Sequence, residues 1–203
     1  MSIQRVVEHV ATAVAAVAGA LPGRGKSIDL FGVIVLAQVT ALGGGTLRDV
    51  ILDARPVFWV ADPSYVLTAT LSAMVLFVAA RFWRMPEKFL LLADAGGLAL
   101  FTALGVHKSL ALGVSPLVSV AMGVMTGVAG GIIRDVLTRE IPLVFRHEVT
   151  LYATASFCGA SVYAALYGLI DGSTVWALGI ATTLLIRLAA IQWKLKLPLF
   201  HAK

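Results

Sequence analysis

The chain has 203 residues, of which 59% are hydrophobic and 13% charged, with a net charge of +5. A soluble domain averages about 45–50% apolar and about 25% charged residues. That balance excludes an ordinary soluble domain and predicts a membrane protein, all-α because the runs are long enough for helices.

The first run, Ile3 to Leu21, ends in the turn Pro22-Gly23-Arg24-Gly25-Lys26. Arg5, an alanine-rich core and the small residues Ala18-Gly19-Ala20 would also suit a signal peptide. Gly25-Lys26-Ser27 has the ending of a phosphate-binding loop, but neither the upstream glycine nor a preceding strand is present. The second run spans Ile28 to about Leu52 and is interrupted at Gly43–Gly45. The third, Tyr65 to Phe82, follows the breakers Asp62-Pro63. Arg81, Arg84, Pro86 and Lys88 mark the next loop, and the fourth run is Phe89 to Val106. The fifth, about Ser115 to Leu137, is interrupted at Gly130–Gly131. Val149 to Ile170 is the sixth, closed by Asp171-Gly172, and Val175 to Trp193 the seventh.

Two of these runs carry the same signature. Gly43-Gly44-Gly45-Thr46-Leu47-Arg48-Asp49 is followed 86 positions later by Ala129-Gly130-Gly131-Ile132-Ile133-Arg134-Asp135. The offset holds without a gap: Thr40 matches Thr126, Pro56 matches Pro142, Asp62 matches Glu148, Gly19 matches Gly105 and Glu8 matches Asp94. The chain is therefore a duplication. It forms one transmembrane domain over 1–203, with repeats over 1–84 and 87–170 and an extra helix over 173–194. Three spans per repeat force the second copy into the opposite orientation, an inverted repeat. The duplication also argues against a cleaved signal peptide, since the first span is the partner of the fourth.

Loop charge gives the expected orientation. One side holds Arg5, Arg55 and Lys108; the other holds Arg24, Lys26, Arg81, Arg84, Lys88, Arg139, Arg146, Lys194, Lys196 and Lys203. Lys and Arg favour the cytoplasm, so the C-terminus is expected inside and the N-terminus outside. The same distribution explains the positive charge without a nucleic-acid partner.

Gly123, Gly127 and Gly131, with partners Ala37, Ala41 and Gly45, form small-residue stripes that suit close helix packing. Consecutive glycines go beyond packing. Each costs a helix about 1 kcal/mol relative to alanine. Gly43, Gly44, Gly45, Gly130 and Gly131 therefore predict kinked or unwound turns, whose freed polar groups line a path or cavity. Thr40 and Thr126 are polar neighbours of the breaks that either face such a path or bond their own helix. Arg48-Asp49 and Arg134-Asp135 read as ion pairs anchoring each half-helix, as a gate at each mouth, or both. Asp94, inside an apolar run, is a further candidate, with capping of its helix as the plain alternative. Substituting Gly44 and Gly130 together by alanine is expected to leave a folded assembly with altered flux. One cysteine and four scattered histidines give no redox, zinc or other metal spacing, and neither a cofactor fingerprint nor a nucleophile–base set is present. Enzymatic chemistry has no support.

The duplicated three-span unit, the GGG-x-x-RD motif with Arg55-Pro56-Val57-Phe58-Trp59, and GG-x-x-RD with Pro142 resemble the prokaryotic trimeric intracellular cation (TRIC) channel family. The same family is catalogued as a bacterial glycine-transporter family. The resemblance covers essentially the whole chain. It implies seven helices, a homotrimer in an inner or plasma membrane among lipids, and one pore per protomer around kinked second and fifth helices. The permeant species it implies are potassium and, as a second candidate, sodium. A secondary transporter of a small amino acid such as glycine is the alternative. Ala129 departs from the glycine triplet, and the basic phosphoinositide motif of animal relatives has no counterpart.

Overall fold

Apolar chain in a membrane must satisfy its peptide groups internally, and helices do so within one segment. The computed structural model describes residues 3–23, 26–83, 86, 88–146 and 151–195. Arg24, Arg84, Glu148, Val149, Lys196 and Lys203, used above, lie outside them. The elements are α1 (Ile3–Ala20), α2 (Leu30–Ile51), the single turn α3 (Phe58–Ala61), α4 (Ser64–Phe82), α5 (Lys88–Ala111), α6 (Pro116–Leu137), α7 (Tyr152–Leu166) and α8 (Gly172–Trp193). Short 3-10 turns occupy Leu21–Gly23 and Leu143–Phe145. Helix starts follow local chemistry. The Asp29 carboxylate accepts the Gly32 amide at 2.8 Å, and Asp171 accepts the Thr174 amide at 3.1 Å. Pro116 opens α6, where its missing amide hydrogen is no loss.

The duplication is written into the backbone. α6 begins and ends 86 positions after α2. Both helices end alike. Leu52 and Thr138 amides bond the Arg48 and Arg134 carbonyls, and Ala54 and Glu140 amides bond the Asp49 and Asp135 carbonyls. Asp53 and Arg139 both take a left-handed conformation, φ +48° and +58°, to turn the chain out of the helix.

One expectation is corrected. α2 and α6 run as continuous helices through Gly43–Gly45 and Gly130–Gly131, with no unwound turn. The glycine cost in propensity is met by packing, since α2 and α6 cross against each other. Six described helices are long and apolar enough to cross a membrane. α7, with 15 residues, reaches only about 22 Å at 1.5 Å per residue.

The core is built largely from alanine and glycine where helices approach. Ala11, Ala15 and Ala16 of α1, Ala37 and Ala41 of α2, and Ala69 and Ala73 of α4 are buried in it. α5 sits at the centre, touching α1, α6, α7 and α8. Beside it, Gly123 and Gly127 face Thr102, Val106 and Leu98, so the packing reading of those glycines holds. The outer faces carry exposed Phe31, Val75, Leu117 and Leu185, as lipid contact requires.

Candidate functional site

The two repeats meet where α2 crosses α6. A Cβ placed on Gly44 would lie 2.1 Å from the Thr126 carbonyl oxygen, and one placed on Gly130 would lie 2.1 Å from the Thr40 carbonyl oxygen. Each helix thus seats a backbone carbonyl in a notch of the other, and only glycine leaves room for it. The other glycines differ. Gly43 faces the end of the Ile133 side chain, Gly45 the Phe58 ring, and Gly131 the hydroxyl of Tyr152. Thr40 and Thr126 donate their hydroxyls to the Leu36 and Met122 carbonyls, both at 2.6 Å, so each bonds its own helix.

Beside this crossing lies a cavity of about 20 Å³, bounded by α1, α2, α5 and α6 and lined by Thr40, Gly44, Asp94, Phe101, Thr126 and Gly130. That volume holds about one water molecule.

The charged pairs lie at the C-terminal ends of α2 and α6, one at each end of the bundle. At the first, Asp49 Oδ1 accepts Arg48 Nε at 2.8 Å and Lys108 Nζ at 2.7 Å, while Oδ2 accepts the Phe58 amide at 2.9 Å. The Arg48 guanidinium lies 5.7 Å from the Phe58 ring centre. At the second, Asp135 Oδ1 accepts Arg134 Nε and Oδ2 accepts the Leu143 amide, each at 2.8 Å. Arg134 Nη1 also donates to Asp94 Oδ1 at 2.8 Å.

The aspartates thus do two tasks: each neutralises the preceding arginine and pins the loop that follows its helix. Neither arginine snorkels; Arg48 is 4% exposed and Arg134 fully buried. Asp94 is no helix cap, because it sits in the second turn of α5 and serves as the second carboxylate of Arg134.

The repeats then diverge. Glu8, the counterpart of Asp94, does not bridge to Arg48. It accepts the Tyr65 hydroxyl and the Gln4 side-chain amide, beside the stacked His9 ring. Lys108 takes over at the first cluster and is a quarter exposed. Three participants escaped the sequence reading. Lys108 counted only as a loop charge, and Tyr152 carried no signal. Arg187 is fully buried with its guanidinium 4.8 Å from the Tyr152 ring centre. A charge inside an apolar run was the available signal.

This helical membrane bundle has the fold of solved TRIC cation channels. A solved TRIC trimeric intracellular cation channel orthologue from Rhodobacter sphaeroides matches it with a TM-score of 0.90 and 36% identity, over 96% of this chain and all of that one. A second solved TRIC cation channel matches with a TM-score of 0.85 and 33% identity, over 100% and 99% of the two chains. The profile of the family described as "Glycine transporter" fits twice, over residues 5–81 and 91–168, once per repeat, and the chain belongs to that family. Among its relatives, the UPF0126 inner membrane protein YadS of Escherichia coli K12 is 49% identical over 96% of this chain and 94% of its own. A UPF0126 membrane protein of Vibrio cholerae is 45% identical over 98% and 83%.

Proposed function

We propose that the protein is a homotrimeric, potassium-permeable channel of the inner membrane, with sodium as a second permeant ion and one path per protomer. The path runs along the α2–α6 crossing, past Thr40, Gly44, Thr126 and Gly130, between the Arg48–Asp49 and Arg134–Asp135 clusters. The observation that carries this reading is the whole-chain likeness to a TRIC channel orthologue, at a TM-score of 0.90. The cavity supports a shut state, because one water's room cannot hold a hydrated ion. Opening then requires α2 and α6 to move apart beside their glycine contact, with the buried clusters acting as gates.

In this reading α7 is the sixth of seven membrane spans. The chain then forms two inverted three-helix repeats, over 1–84 and 87–170, with 173–194 added. The loop charges set the N-terminus outside and the C-terminus in the cytoplasm.

The family's description supports a second reading, a carrier of a small amino acid such as glycine. Planar-bilayer recording separates the two. A channel gives discrete unitary potassium currents that persist without any amino acid. Glycine counterflow with no unitary current would replace the channel with the carrier.

A further inference from the structure

Repeat two is covered by a helix that repeat one lacks. α8 packs along α5 and α7. Its Trp176 is buried near the ends of those helices, its ring centre 4.9 Å from that of His107 and 5.4 Å from that of Tyr163. The 86-position offset carries His107, Tyr163 and Tyr167 onto Leu21, Phe77 and Arg81. Those three residues line an open cleft of about 290 Å³ between the end of α1, the start of α2 and the end of α4. α4 touches α1, α2 and α3, and among the described residues no helix takes α8's place over it. The slot that Trp176 fills in one repeat is thus vacant in the other.

We propose that this cleft binds one anionic phospholipid per chain, an acyl chain entering the slot and Arg81 holding the phosphate. Ile28, Val33 and Leu76 supply apolar walls, and the volume suits roughly ten groups of water size, at about 30 Å³ each. Arg81 stands at the mouth with its guanidinium 5.3 Å from the Phe77 ring centre. Among the described residues it has no carboxylate partner, and no acidic side chain lines the cleft. A cation above a narrow apolar slot complements a phosphodiester above a hydrocarbon chain. A protein helix in that place would fill the slot as Trp176 does, without needing a charge. The site is independent of ion conduction.

Native mass spectrometry of the purified assembly, with phosphatidylglycerol and phosphatidylethanolamine of identical chains at equal concentration, tests it. One phosphatidylglycerol per chain should be retained, favoured about fivefold over phosphatidylethanolamine, the preference expected from one basic residue near an anionic surface. Arg81→Gln should bring that ratio to one while lipid still binds, a readout that requires no change in packing. Ala80→Phe, which fills the slot from within, should remove the retained lipid and leave the oligomer mass unchanged. Undiminished phosphatidylglycerol in Ala80→Phe overturns the proposal. So does a changed oligomer mass in that variant, which would make the occupant a second copy. Displacement of the lipid by inorganic phosphate alone would also overturn it, by reducing Arg81 to a free-anion site.

Discussion

Gly44 lies so close to Thr126 that a methyl group on the glycine would sit 2.1 Å from the threonine carbonyl oxygen. Backbone cannot yield as a flexible side chain does. Gly44→Ala should therefore cost about 1–3 kcal/mol through overpacking, and Gly130→Ala the same by the reciprocal contact with Thr40. The expectation that the pair leaves a sound assembly is withdrawn. Gly43→Ala is the control, because its new methyl meets only the tip of Ile133, at 3.1 Å, and gains about 1 kcal/mol of helix propensity. Thermal unfolding in detergent, read by size-exclusion yield, should rank Gly43→Ala near wild type and the other two well below.

Asp94→Asn should be more damaging than Lys108→Met. The first removes one of the two carboxylates that hold a fully buried Arg134, a loss of about 2–3 kcal/mol for a buried hydrogen bond between charged groups. The second leaves Asp49 paired with Arg48 and removes a lysine already a quarter exposed, at about 1 kcal/mol. Equal losses in thermal midpoint would show that the two ends are not organised as described.

Acid should loosen the tie between the loop after α1 and the loop after α6. Lys26 Nζ bonds Glu140 Oε1 at 2.6 Å and the Thr138 carbonyl at 2.5 Å. The hydrogen bond from Lys26 and its charge hold the Glu140 carboxyl below its usual value of 4.5. A depressed folded-state pKa gives stability that is present above the unfolded value and lost as pH falls through the folded one. Wild type should exceed Glu140→Gln in thermal midpoint at pH 7. The gap should begin to narrow as pH falls below about 4.5 and close as it passes the lowered folded-state value, and high salt should narrow it at any pH. A gap of unchanged size between pH 7 and pH 3 would refute the assignment.

A reporter fused after Lys203 should read as cytoplasmic. Three loop cations against ten set the expectation. A periplasmic signal would exchange the sides on which the two Arg–Asp clusters face.

The duplication was legible because an unbroken offset of 86 survives in residues with special chemistry: glycine, proline and the Arg-Asp pair. The partners of Arg134 were partly legible, since Asp94 stood alone among apolar residues. What glycine does at 43–45 was not. A run of glycines reads equally as an unwound turn or as a notch for another backbone, and only the position of α6 decides between them. Lys108 could not be found by symmetry either, because its counterpart under the repeat is Pro22. Divergence between the halves had moved the partner to a new position.

The paired notches make the crossing of α2 and α6 a fulcrum. Each carbonyl is trapped against the opposite glycine, so sliding along either axis drives a Cβ-bearing neighbour into the contact. Rocking about the contact does not. Such a lever spreads the helices at one end as it draws them together at the other. The two ends of the crossing are then mechanically opposed, and Lys108, reaching in from α5, is the most exposed member of the two buried clusters.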